Sequence, residues 1–276
     1  MASRGKKKSS PKQRIKSSGK NPGKTETTAE GAPVQNHGTE LIVALDFPRP
    51  DRAFELVEEL DGEPVLFKVG LELFTAGGPD FVRELVYRKK RVFLDLKFHD
   101  IPNTVARAAQ QAALLHVEMF SLHLSGGSAM VRAVAEVMEE ISLLRPKIIG
   151  VSVLTSFDDV RWAEVTKSLT GHAVDAAESV AGLVEHAVSW GADGVVCSSL
   201  ELPTLRSQFP SLYTVVPGIR PEGTSPNDQA RIMTPAQARA AGANAIVVGR
   251  PITEAKSPRH MVQRVLKELS EEAVSA

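Results

Sequence analysis

Residues 92–115 read VFLDLKFHDIPNTVARAAQQAALL, and this stretch contains one complete structural unit. The run 92–96 has the length and branched, apolar character of a strand buried on both faces. Pro102 suits the first turn of a helix, where a missing N–H costs nothing, and Val105, Ala109, Ala112 and Leu115 then recur at helical spacing. Four ionisable residues, Asp95, Lys97, His99 and Asp100, fall at the junction between strand and helix.

The unit repeats along the chain. Strand-like runs at 41–45, 65–69, 92–96, 119–122, 148–154, 194–197, 212–216 and 245–248 alternate with amphipathic stretches. Asp51 is placed to cap a helix carrying Phe54, Val57 and Leu60, and a later helix with Val180, Leu183, Val184 and Ala187 ends at Gly191. Eight such units in roughly 235 residues predict an α/β chain forming a single (β/α)8 TIM barrel over 39–276. A doubly wound open sheet is the alternative, but no GxGxxG turn follows the first strand.

The formal net charge is zero and conceals an asymmetry, since residues 1–38 hold nine Lys or Arg against Glu26 and Glu30. That segment is rich in Lys, Ser, Gly, Pro and Thr, with Ile15 and Val34 as its branched aliphatics, so it cannot offset its ordering entropy by burial. It reads as a disordered basic N-terminal extension. No aromatic interleaves its lysines to stack on bases, which favours a solvated arm over a nucleic-acid-binding one. The lone Cys197 excludes an internal disulfide and a thiolate zinc cluster. No apolar stretch reaches the roughly 18 residues of a membrane span. A cytoplasmic protein without a membrane segment is expected.

In a barrel of this kind function sits where strands end. There the sequence places Asp46 after the first strand, Lys68 on the second, Asp95 and Lys97 on the third, His123 on the fourth and Thr155-Ser156 after the fifth. Residues two apart on a strand share a face, so Asp95 and Lys97 should meet at the mouth as an ion pair, with Asp100 close behind. Flanking carboxylates favour an ammonium, which suits a general acid rather than a Schiff-base lysine. Taken singly, Asp46 reads equally well as a cap, Lys68 as an ordinary ion pair and His123 as a residue bonding its neighbours. Pro217-Gly218 with Arg220, and Gly249-Arg250, end strands seven and eight, where barrels often cradle phosphate with backbone amides. The polar loop 221–231, carrying Gln229, is placed to fold over such an anion.

The run Asp95-Leu96-Lys97-Phe98-His99-Asp100-Ile101-Pro102-Asn103-Thr104 resembles the D-x-K-x-x-D-I-P-N-T signature of the orotidine 5'-phosphate decarboxylase family. Ala44-Leu45-Asp46, Lys68-Val69-Gly70, Leu154-Thr155-Ser156, Val216-Pro217-Gly218-Ile219-Arg220, Asn227-Asp228-Gln229 and Val248-Gly249-Arg250 extend the resemblance over 41 to about 268. It implies decarboxylation of orotidine 5'-monophosphate to UMP without metal or organic cofactor. The catalytic set implied is Lys97, protonating C6, with Asp95 beside the substrate carboxylate and Asp100. It further implies that Asp46 and Lys68 bind the ribose hydroxyls, that Thr155 or Ser156 touches the pyrimidine and that Pro217 lines its pocket. Gln229, Arg220, Gly249 and Arg250 would grip the phosphate. Asp100, Ile101 and Thr104 would reach into the neighbouring subunit of an obligate homodimer.

Two rivals remain at this stage. A metal-dependent aldolase or phosphosugar lyase on a related barrel would need several oxygen ligands, against which Lys68 and Lys97 put two cations into the mouth. A non-catalytic barrel whose basic tail binds nucleic acid would lose its affinity when residues 1–38 are deleted.

Overall fold

The computed structural model describes residue 1 and residues 38–141, 145–223 and 233–270. Eight parallel strands close into one barrel in chain order, with the last returning to the first. They are β1 (Glu40–Ala44), β2 (Val65–Gly70), β3 (Arg91–Phe98), β4 (Met119–His123), β5 (Lys147–Val151), β6 (Gly194–Val196), β7 (Tyr213–Val216) and β8 (Ala245–Val248). The helices among the described residues are α1 (Pro50–Glu59), α2 (Leu71–Tyr87), α3 (Pro102–Leu114), α4 (Gly127–Glu140), α5 (Asp159–Thr170), α6 (Ala176–Trp190), α7 (Leu202–Gln208), α8 (Pro235–Ala240), α9 (Arg250–Thr253) and α10 (Pro258–Ser270). The expected TIM barrel is therefore the fold. Of the expected extension over 1–38, residues 2–37 lie outside the described residues.

Alternation along the strands sorts the apolar side chains into two cores. Ile42, Ala44, Leu66, Phe93, Met119, Ile149, Val215, Ala245 and Val247 fill the barrel interior. Their neighbours in sequence, among them Leu41, Val43, Phe67, Leu94 and Phe120, pack against the helices. Burial on both faces is why the strands read as continuous apolar runs rather than alternating ones. Each fully buried side chain of this size stabilises the fold by about 1.5–3 kcal/mol.

The helices follow from local chemistry. Pro102 occupies the first turn of α3, whose buried stripe is Val105, Ala106, Ala109, Ala112 and Ala113. Gly191 ends α6 in the left-handed region at φ 103°, a conformation that costs glycine little. Two expectations are corrected. Asp51 does not cap α1: Arg49 holds the cap position, Pro50 opens the helix, and Asp51 in the first turn pairs with the Arg49 guanidinium. The fifth strand stops at Val151, not at 154, because β6 pairs only with Ile149 to Val151. The apolar residues Val153 and Leu154 wall a cavity instead.

One irregularity positions the site. Phe93 and Leu94 pair with Met119 and Phe120, after which the register jumps to Phe98 opposite Leu122. Asp95, Leu96 and Lys97 thus stand opposite the single residue Ser121, a bulge that adds two residues to β3. Lys97 absorbs the distortion with a left-handed backbone, φ 51°, at a cost of about 1–2 kcal/mol for a residue with a side chain.

Candidate active site

The site rises from the inner core. Ile42 and Ala44 on β1, Leu66 on β2 and Phe93 on β3 form its floor, and the next inward residues along the same strands are Asp46, Lys68 and Asp95. Charge therefore begins where the apolar filling stops. Lys68 Nζ lies 3.0 Å from Asp46 Oδ1 and 3.7 Å from Asp95 Oδ2. Lys97 Nζ donates to the same Asp95 Oδ2 at 2.8 Å. The result is a continuous chain of alternating sign, Asp46–Lys68–Asp95–Lys97, along one rim of the mouth.

Asp95 is the buried member, its side chain 10% exposed. Burial alone would raise its carboxyl pKa, but Lys68, Lys97 and hydrogen bonds from Lys97 and Ser121 outweigh that cost and hold it below the usual carboxylate range. Asp46 is the outer member and its carboxylate is largely solvated. Gly70 leaves room for the Lys68 ammonium, since a Cβ there would come within 3.1 Å of Nζ.

Lys68, Asp95, Lys97 and Thr155 share a cavity of about 130 Å³ with Pro217 and an apolar wall of Phe93, Val151, Val153, Leu154, Val196, Val215 and Val247. Such walls keep the effective dielectric low and strengthen the charges that face them. His123, at the end of β4, stands with its ring centroid 5.3 Å from that of His99. Burial, with His99 and Lys97 nearby, lowers the His123 pKa, and Asp95 opposes that shift.

The remaining sequence-derived candidates among the described residues are not among those that line this cavity. Ser156 is exposed and is not among the cavity-lining residues. Arg220 is buried, its guanidinium donating to the Ile219 carbonyl at 3.0 Å and its backbone N–H to the Met233 carbonyl at 3.0 Å. Gly218 before it has φ 78°, a turn that favours glycine. Gly249 caps α9 and Arg250 begins it. Gln229 lies outside the described residues, as do Asn227 and Asp228. Asp100, Ile101 and Thr104 lie on the β3–α3 loop and first turn of α3 with exposed side chains, Ile101 at 66%. The Asp100 carboxylate accepts the Ile101 N–H at 2.6 Å and, among the described residues, forms no ion pair. Within one chain the neighbour of the Asp95–Lys97 pair is thus Lys68, and not Asp100 as the spacing suggested. Ser121, fully buried, was missed by sequence reasoning; its signal was its position two residues beyond the inward-facing Met119, in a strand whose other residues before His123 are apolar.

Comparison with known proteins follows the same lines. The model of the family described as Orotidine 5'-phosphate decarboxylase / HUMPS family matches residues 39–265. The chain is 45% identical over 231 residues to the Orotidine 5'-phosphate decarboxylase of Pseudomonas putida strain W619, covering 84% of this chain and 97% of that protein. It is 46% identical over 230 residues to the protein of that description from Legionella pneumophila strain Corby, covering 83% and 98%. Its fold is similar to the crystal structure of Orotidine 5'-phosphate decarboxylase from Lactobacillus acidophilus, with a TM-score of 0.74 and 35% identity over 84% of this chain and 100% of that one.

Proposed function

The chain belongs to the Orotidine 5'-phosphate decarboxylase / HUMPS family, and from that premise we propose how its residues decarboxylate orotidine 5'-monophosphate to UMP, a step of pyrimidine biosynthesis. The observation that carries the reading is the Asp95 carboxylate, buried and ionised between two ammonium groups at the edge of a largely apolar cavity.

When the bond from C6 to the carboxylate breaks, carbon dioxide leaves and the electron pair stays on C6. The barrier is set by that developing carbanion, so a group that stabilises negative charge in the transition state accelerates the step. The Lys97 ammonium does so and then transfers its proton to C6, forming the C–H bond of UMP; a proton from water restores it. Asp95 serves twice. It holds Lys97 at 2.8 Å, and its charge opposes that of the substrate carboxylate, a repulsion relieved as carbon dioxide departs.

Asp46 and Lys68, bonded to each other at 3.0 Å, bind the ribose hydroxyls in this proposal. Thr155 or Ser156 and Pro217 meet the pyrimidine, while Arg220, Gly249, Arg250 and Gln229 hold the phosphate. Contacts so far from the breaking bond supply binding energy that orients the reacting ring. Asp100, Ile101 and Thr104, exposed on one loop, complete the site of a second subunit in a homodimer. The catalytic domain is 39–276, the span within which the family match falls, and its location is the cytoplasm. Among the described residues, no helix is long and apolar enough to cross a membrane.

The test is the loss of orotate absorbance on adding orotidine 5'-monophosphate to the purified protein, with and without EDTA, repeated with Lys97→Ala. EDTA-insensitive turnover in the wild type is expected, falling at least about 10⁴-fold in the variant, with UMP affinity kept within about tenfold. Near-normal turnover by Lys97→Ala removes Lys97 from its role, and turnover abolished by EDTA would point to a metal-dependent reaction.

A further inference from the structure

The catalytic assignments leave unexplained how an eight-residue strand delivers both Asp95 and Lys97 to one point. With Lys97 in a left-handed conformation, simple alternation no longer fixes its direction. The bulge also removes Lys97 from the regular ladder, so its partly buried N–H needs a partner from elsewhere.

Ser121 on β4 supplies that partner. It is completely buried, stands opposite the three bulged residues and makes two hydrogen bonds into them. Its Oγ accepts the Lys97 backbone N–H at 2.9 Å and donates to Asp95 Oδ1 at 2.7 Å. A hydroxyl can do both at once, because its one hydrogen and its lone pairs are separate resources. The two bonds have different consequences. The first fixes the backbone from which the Lys97 side chain departs. The second occupies one oxygen of Asp95 and so sets the rotation of the carboxylate, leaving Oδ2 to face both ammonium groups, Lys97 Nζ at 2.8 Å and Lys68 Nζ at 3.7 Å.

We propose that Ser121 is a positioning residue of the decarboxylation, a single buried hydroxyl that locks the bulged backbone of Lys97 to the carboxylate of Asp95. The proposal rests on the reading of Lys97 and Asp95 as catalytic groups. Ser121 does not line the cavity and acts through those two residues. Without its hydroxyl, Asp95 Oδ1 and the Lys97 N–H lose their partner together. The carboxylate is then free to rotate, and the ammonium loses its registration with C6. Catalysis is sensitive to such displacements because the reacting atoms must approach within about 3–3.5 Å. The two hydrogen bonds of Ser121 run to Asp95 and Lys97, so its loss is expected to act on turnover more than on substrate binding through the ribose and phosphate ends.

The experiment compares Ser121→Ala and Ser121→Thr with the wild type and with Lys97→Ala, in the orotate absorbance assay and in thermal unfolding. Ser121→Ala is expected to lower kcat roughly 10- to 100-fold, the size of losing hydrogen bonds to a charged catalytic group, with KM within about threefold. Ser121→Thr, which restores the hydroxyl, is expected to recover most of the lost kcat. A kcat within threefold of wild type for Ser121→Ala, alongside an inactive Lys97→Ala, overturns the proposal and leaves the catalytic reading standing. An active Lys97→Ala overturns both. A Ser121→Ala protein whose KM rises as its kcat falls indicates general loosening of the site and also overturns the proposal. A folded Ser121→Thr that fails to recover turnover does the same; should it not fold, the kcat and KM of Ser121→Ala decide alone.

Discussion

The barrel carries a network of alternating charge at each end, and the one at the C-terminal ends of the strands borders the cavity of about 130 Å³. At the C-terminal ends of the strands, Asp46, Lys68, Asp95 and Lys97 alternate in sign, the last three lining that cavity. At the N-terminal ends, Arg91 of β3 joins Glu40 of β1 at 2.7 Å and Glu118, before β4, through Nε at 2.6 Å and a second bond. Tyr213 of β7 donates to Glu40 at 2.6 Å, and Lys147 of β5 lies 3.9 Å from Glu118 and over the Tyr213 ring. The lower network spends its donors on its own acceptors. Its central cation, bonded to both carboxylates, is the Arg91 guanidinium, 45% exposed, pushed further toward permanent charge by Glu118 and Glu40 despite the opposing effect of burial. The upper network uses ammonium groups, which can give up a proton, and holds its central carboxylate in a dry place. The pattern of signs does not distinguish the two ends; the identity of the central cation and what it faces do.

Exchanging the cations tests that contrast most severely. Lys97→Arg at the upper end keeps a positive charge beside Asp95 but offers no transferable proton near neutral pH. Turnover in the orotate assay is expected to fall at least about 10³-fold with the protein still folded by circular dichroism. Retention of most activity would mean that charge stabilisation alone suffices. The reciprocal Arg91→Lys at the lower end gives up the fork that serves two carboxylates. Urea unfolding is expected to report a loss of about 1 kcal/mol, the scale of a partly exposed ion pair, with kcat unchanged per folded molecule. Altered kcat would couple the two ends.

Acid sensitivity provides the finest comparison. Asp95 and Glu40 both have depressed folded-state carboxyl pKa values: in each, burial raises the value and is outweighed, by Lys68 and Lys97 around Asp95 and by Tyr213, Arg91 and Lys147 around Glu40. A carboxyl depressed on folding contributes stability that is fully present above its unfolded pKa, about 3.9 for Asp and 4.3 for Glu, and lost as pH falls through the folded value. Stability should therefore decline with acid below about pH 4. Asp95→Asn and Glu40→Gln should each flatten the decline by up to one proton, measured by urea unfolding between pH 3 and pH 6. An unchanged slope in either variant would show that its carboxylate contributes nothing to acid unfolding.

The strands and the charged cluster at the mouth of the candidate site were legible because burial on both faces leaves continuous apolar runs, and because charged residues directly after such runs stand out. The same signal misled at the fifth strand, where Val153 and Leu154 are apolar as cavity wall and not as sheet. Asp51 had the composition of a cap, but Pro50 set the start of α1 two residues earlier than a cap at Asp51 would. The Asp95–Lys97 contact was anticipated from two-residue alternation, yet the geometry that achieves it is a bulge with a left-handed lysine. A bulge has no signature in composition, and the residue that satisfies it, Ser121, is a small polar residue on a different strand. Pairings across strands of this kind become visible only when the register is known.

The same bulge changes how the chain tolerates altered length. Insertions and deletions are ordinarily absorbed by loops and resisted by strands because a shift of one residue reverses every following side chain. Between Leu94 and Phe98 the third strand already holds two residues more than its partner needs. Loss of one residue there would leave a pairable strand and a closed barrel while reorienting one of the two charged side chains. At this seam a length change selects against activity and not against folding, so a survey of shortened variants would find them soluble, barrel-shaped and silent.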